Sequence, residues 1–140
     1  MELPERLRIA YEATEYWVDD APCGPFYLHC GEQSPMLADL LADAGLGGWV
    51  YITACNPGSC QLSDEENAGR MQELKVQLRA LNCVIYHGRG VGTAGNWPAE
   101  PSFLALGLGE EEGLEIGRTF GQNAIVVGTR GEPAQLVTCR

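Results

Sequence analysis

The chain predicts an α/β domain, α+β-like in its layering, in which a single mixed β-sheet carries about three packed helices. Three observations lead there. Short apolar runs of strand length recur along the chain, segments of helical period separate them, and turn residues mark almost every junction. The order they give is β-β-α-β-α-β-β-α-β-β. With 140 residues and 45% hydrophobic side chains, the chain forms one domain over residues 1–140, with enough apolar surface for a sizeable core.

The first strand is read over Tyr11 to Val18, where aromatics and Thr alternate sides, and the second over Phe26 to Cys30 beyond the turn signals Asp19-Asp20, Pro22 and Gly24-Pro25. Together they suggest a hairpin. Ser34 followed by Pro35 starts a helix, since Ser accepts from a first-turn amide and Pro lacks only a donor that the first turn does not use. Leu37, Leu40, Leu41 and Ala44 share its inner face, and Gly45 closes it. Trp49 to Ala54 is apolar or small on both faces, as expected of a central strand covered on both sides.

Ser63-Asp64-Glu65-Glu66 forms a capping box, and the stripe Met71, Leu74, Leu78 and Leu81 extends the second helix from about Asp64 to Leu81. A strand over Cys83 to His87 leads into a long loop with glycines at 88, 90, 92 and 95 and prolines at 98 and 101. Ser102 to Leu108 is a buried strand, Glu110 to Phe120 a helix, and Ala124–Gly128 with Ala134–Thr138 a closing hairpin.

Nineteen acidic and nine basic residues give a net charge of −10, which disfavours binding to nucleic acid or to anionic membranes. No apolar run approaches membrane-spanning length. The first residues mix charges without a signal-type core, so a cytoplasmic location is expected, with the six cysteines reduced. No spacing among those cysteines matches a zinc site, and neither a metal nor a cofactor is expected.

Gly90-Val91-Gly92-Thr93-Ala94-Gly95 matches a dinucleotide fingerprint in letters only. Trp97-Pro98-Ala99-Glu100-Pro101 cannot supply the helix that such a motif opens, and a plain glycine-rich loop is the better reading. Asn56, before Pro57, is expected on an extended backbone, with Thr53 and Ser59 supplying further donors and acceptors. The helix beyond has Asp64, Glu65 and Glu66 in its first turn, which disfavours an anion there. Glu66, Glu100 and His87 suit proton chemistry, although Glu66 also serves as a cap and His87 as an ordinary strand end. His29 beside Cys30 is read as structural.

Several segments together carry a resemblance: Tyr11-x-x-Thr14-x-Tyr16, Ile52-Thr53-Ala54-Cys55-Asn56-Pro57-x-Ser59, Glu66-Asn67, Trp97-Pro98-x-Glu100-Pro101-Ser102-Phe103, Leu106-Gly107 and Phe120-Gly121-Gln122-Asn123-Ala124. In these the chain resembles a bacterial domain-of-unknown-function family, number three-two-nine-three. The family pattern usually has Trp where this chain has Cys55, which argues against an essential thiol. The resemblance implies a small cytoplasmic protein and groups Thr14, Thr53, Asn56, Ser59, Glu66, Asn67, Glu100, Ser102, Gln122 and Asn123.

A pocket of amides and hydroxyls for a small polar ligand, nucleoside-like or amino-acid-like, is the leading expectation, with Thr53, Asn56, Ser59, Asn67, Glu100, Gln122 and Asn123 as its lining. Two alternatives stand beside it. One is a hydrolase-type enzyme with Glu66 and Glu100 as acid and base; the other is an acidic module that meets a protein partner, or a second copy, through surface aromatics such as Trp17 or Trp97.

Overall fold

A computed structural model describes residues 3–93 and 98–139. Its described elements run α1 (Glu5–Ala13), β1 (Glu15–Val18), β2 (Phe26–Leu28), α2 (Pro35–Ala44), β3 (Gly48–Ile52), a 3-10 turn (Pro57–Ser59), α3 (Asp64–Ala80), β4 (Val84–Val91), β5 (Glu100–Leu106), α4 (Glu110–Thr119), β6 (Ala124–Thr129) and β7 (Gln135–Thr138). The seven strands form one sheet in the order β2-β1-β4-β5-β3-β6-β7. The class and the succession of elements are those the sequence predicts. Two features differ in detail: the ladders are antiparallel throughout, and α1 precedes the expected order.

Strict period-two burial organises the layers. On β3, Trp49 and Tyr51 face one side while Val50 and Ile52 face the other, and all four are at most 3% exposed. The first face is covered by α2 through Leu37, Leu40 and Leu41, with Leu104, Leu106 and Val126 from neighbouring strands. The second is covered by α3 and α4, where Met71, Leu74, Leu78, Leu114 and Ile116 meet Phe103, Ala105, Ile125 and Val127. Burying apolar side chains on both sides of one strand removes it from water completely, which is why its sequence shows no polar alternation.

The expected caps form. Ser34 Oγ accepts from the Leu37 amide at 3.2 Å, and Gly45 ends α2 at φ 70° in the left-handed region. Ser63 Oγ accepts from the Glu66 amide at 3.1 Å while Glu66 Oε1 accepts from the Ser63 amide at 3.2 Å.

The first strand is shorter than predicted. Residues 11–13 close α1, which buries no residue and is braced by an Arg8–Glu12 ion pair, so no apolar stripe announces it. The long glycine loop is shorter too. Gly88 and Gly90 belong to β4, which pairs β1 and β5 as far as residues 91 and 100 respectively. At Gly88 a Cβ would lie 1.8 Å from the Trp17 carbonyl oxygen, so the glycine records the close approach of two strands rather than a bend.

The sheet curls until its outer strands meet. Cys30, just after β2, forms an isolated bridge with Ala134, just before β7. The Gly31 amide donates to the Ala134 carbonyl at 2.8 Å and the Ala134 amide donates to Glu32 at 3.1 Å.

Gly88→Ala is therefore expected to cost about 3 kcal/mol or more in urea-melt stability, whereas Gly69→Ala, on the exposed side of α3 with nothing within 4 Å of the new Cβ, should stabilise by about 0.5–1 kcal/mol.

Candidate functional site

The chain leaves β3 at Ile52 and within four residues enters a left-handed conformation at Asn56, φ 49° and ψ 62°. This corrects the extended backbone expected there. Proline excludes the right-handed helical region for the residue before it, and Asn tolerates the left-handed one better than other side chains do. The turn places the Asn56 amide among three partners. Its Oδ1 accepts from the Leu62 amide and from Asn67 Nδ2, both at 2.9 Å, and its Nδ2 donates to Glu100 Oε2 at 2.6 Å. Asn67 Oδ1 in return accepts from the Asn56 backbone amide at 3.0 Å. One buried side chain thus ties the end of β3 to α3 and to the first residue of β5.

A second set of ties joins this turn to the segment between α4 and β6. Gln122, 6% exposed, donates from Nε2 to the Cys55 carbonyl at 3.0 Å and to that of Phe120 at 3.3 Å. Asn123 Nδ2 donates to Ser59 Oγ at 2.9 Å, and the Gly58 amide donates to the Gly121 carbonyl at 2.8 Å. Arg70, from α3, donates to the Ala54 carbonyl at 2.6 Å and to the Phe120 carbonyl, with its guanidinium above the Phe120 ring. A planar fork with several donors suits such a bridge, because lysine lacks the second arm.

Two cavities open where these loops meet, one on each face of the sheet. The smaller, about 260 Å³, lies on the α2 face at the end away from α2, and α1 forms one wall of it. Tyr16, Tyr51, Thr53, Glu100, Ser102 and Gln122 are among its lining. The larger, about 430 Å³, follows the groove between α3 and the strands β4 and β5. Asn56 and Glu100, at the rim of the sheet, line both.

The residues grouped from the sequence divide accordingly. Thr53, Asn56, Ser59, Glu100 and Gln122 meet around the smaller cavity, joined by Thr14 and Ser102 of the same pattern. Asn67 lines only the larger one. Asn123 is buried but lines neither, because its amide is spent on Ser59. Glu66 also lines neither cavity: its carboxylate is exposed and engaged in the α3 cap, so Glu66 and Glu100 do not share a cavity. Ala94, Gly95 and Trp97 lie outside the described residues. Trp17 is half-buried, tilted against Tyr27 and beneath the Arg89 guanidinium.

Sequence reasoning missed Tyr51, Arg70 and α1. Tyr51 looks like plain core in an apolar run, yet its hydroxyl donates to the Trp17 carbonyl at 2.6 Å beside the cavity. Burial pushes the Tyr16 and Tyr51 phenols far above their ordinary range, so both stay protonated and neither serves as a base. Burial likewise raises the thiol of Cys55, which makes it a poor nucleophile. Among the described residues no group of three or more His, Cys, Asp or Glu is arranged for a metal, and no helix is long and apolar enough to cross a membrane.

Comparison with known proteins agrees with the motif pattern. A family model described as "Protein of unknown function (DUF3293)" matches residues 52–125, a segment that contains the Asn56 turn, α3, Glu100 and Gln122. No curated protein and no solved structure matches.

In a double-mutant cycle on urea-melt stability, Asn56→Ala and Asn67→Ala should each cost about 2 kcal/mol and couple by about 1 kcal/mol, because either change leaves the other amide unpaired. Thiol chemistry should follow exposure: an alkylating reagent at pH 8 is expected to modify Cys23 and Cys60 well before Cys30, whose thiol burial pushes up to about 11.

Proposed function

Because the chain belongs to the DUF3293 family, whose description names no activity, we propose a function from the smaller cavity: it binds a small planar, nucleoside-like ligand rich in N–H donors. Gln122 carries this reading. Its Nε2 is spent on two backbone carbonyls, which holds the amide plane in place and leaves its Oε1, on a side chain that lines the cavity, to act as an acceptor.

The rest of the wall is complementary. The Glu100 carboxylate lines the cavity at the rim and adds acceptor oxygens to it. Tyr11, Tyr16 and Tyr51 offer aromatic surface against which a flat ring packs, with Tyr16 and Tyr51 edge to face at 5.3 Å. A volume of about 260 Å³ suits a base or a nucleoside and is too small for a dinucleotide. Six free thiols accord with a reducing, cytoplasmic setting.

Thermal shift with a panel of free bases and nucleosides tests the reading. At least one compound, at a concentration about a hundredfold over its Kd, should stabilise by about 2.7 kcal/mol and raise Tm by several degrees. Gly90→Ala should weaken that shift and leave the unliganded Tm nearly unchanged, because a Cβ at Gly90 meets only Thr14 Cγ2 at 3.6 Å and Tyr16 Cδ1 at 4.0 Å and takes up space on the cavity wall. A panel that leaves the wild-type Tm unmoved would sink the proposal.

A further inference from the structure

The larger cavity has a polarity of its own. Asp64, Ala68, Met71, Gln72 and Lys75 recur at intervals of three, four or one along α3 and form one wall, so the groove runs parallel to the helix. From Asp64 to Lys75 the helix rises about 16 Å. Acidic groups, Asp64 and Glu100, mark one end; Lys75 and His87 mark the other, where His87 pairs with Phe103 across β4 and β5. Met71, Phe103 and Pro101 give the stretch between them an apolar floor.

The basic end is built rather than incidental. The two oxygens of Asp20 each accept from His87 at 2.7 Å, one from its backbone amide and one from ring Nδ1. The ring also stands edge-on to Phe103 at 5.4 Å. With its proton on Nδ1, the imidazole presents the Nε2 lone pair, and Lys75 Nζ lies 3.1 Å from that atom. The ammonium has three donors and commits one to His87, so Asp20 and His87 hold a cation in place with donors to spare. At the acidic end Asn56 Nδ2 steadies Glu100 in the same way.

We propose that this groove binds an extended amino carboxylate. Its carboxylate accepts from Lys75, its ammonium donates to Glu100, and its methylene chain lies over Met71 and Phe103. His87 and Asp20 are positioning residues that act through Lys75. The backbone span from Glu100 to Phe103, about 10 Å, gives the scale of the groove and suits a chain of a few methylenes between the charged groups of the ligand. The proposal shares Glu100 with the nucleoside-like reading, but none of Asp20, Lys75 and His87 lines the smaller cavity, so changes at Lys75 and His87 test this groove alone.

The probes are acetate, ethylammonium, glycine, 4-aminobutyrate and 6-aminohexanoate, and the readout is the ring resonances of the two histidines. 4-Aminobutyrate should shift His87 saturably, with a Kd about tenfold below those of acetate, ethylammonium and glycine, and leave His29 in place, since His29 is paired with Glu32 outside the groove. Lys75→Gln should weaken binding at least about tenfold and Lys75→Arg should restore it. His87→Gln removes the reporter ring and is read instead by thermal shift with 4-aminobutyrate, where it should weaken binding with the fold intact by circular dichroism. Glu100→Gln should remove the advantage of 4-aminobutyrate over acetate, and Asp64→Asn, farther from the core, should diminish it if Glu100→Gln does not fold. Equal binding of acetate and 4-aminobutyrate overturns the proposal, as does a His87 signal that no probe moves or that Lys75→Gln leaves equally responsive.

Discussion

The junction at Asn56 is the constraint on which the functional end of the molecule depends. A strand, a helix and a second strand end near one another there, each with backbone groups that water no longer satisfies. A single primary amide offers two donors and an acceptor with two lone pairs, and at Asn56 it is shared among Leu62, Asn67 and Glu100. The left-handed backbone is what aims the amide inward. A β-branched or larger residue at this position would strain the turn, and an aliphatic one would leave α3 and β5 without their common partner.

Much of the framework is legible in the residues because the cues are local. Ser34-Pro35, Ser63 to Glu66 and Gly45 name helix ends by chemistry acting over three or four residues, and the uniformly apolar β3 betrays burial on both faces. What stayed hidden depends on contacts distant in sequence. Gly88 reads as loop until β1 lies against it, and α1 lacks a buried face and so has no periodicity to read. The candidate site divides along the same line. That Asn56, Glu100 and Gln122 lie at element ends can be read from the chain; that Glu66 is absorbed by its own cap, and Asn123 by Ser59, depends on which neighbour claims each side chain first. The backing of His87 by Asp20 spans 67 positions, beyond the reach of spacing.

The sheet separates two chemically different environments while sharing one rim. On the α2 face the cavity is walled by tyrosines and neutral hydrogen-bonding groups, and burial suppresses ionisation of the phenols. On the α3 face the groove is ionic at both ends. Glu100 contributes to each because it begins its strand at the edge of the apolar layer, where one carboxylate is reached from both sides. Occupancy on one face therefore bears on the hydrogen bonding available to the other.

The meeting of Cys30 and Ala134 has a consequence for how the protein behaves among its own copies. A seven-stranded antiparallel sheet with free margins offers two rows of unpaired amides and carbonyls to any passing chain. Here the margins turn toward each other and the bonds of Gly31 and Ala134 spend part of that capacity internally. Closure of this kind disfavours strand addition and runaway edge-to-edge association. Pro25, immediately before β2, and Pro133, immediately before Ala134, act in the same sense, since neither offers an amide donor to an incoming strand.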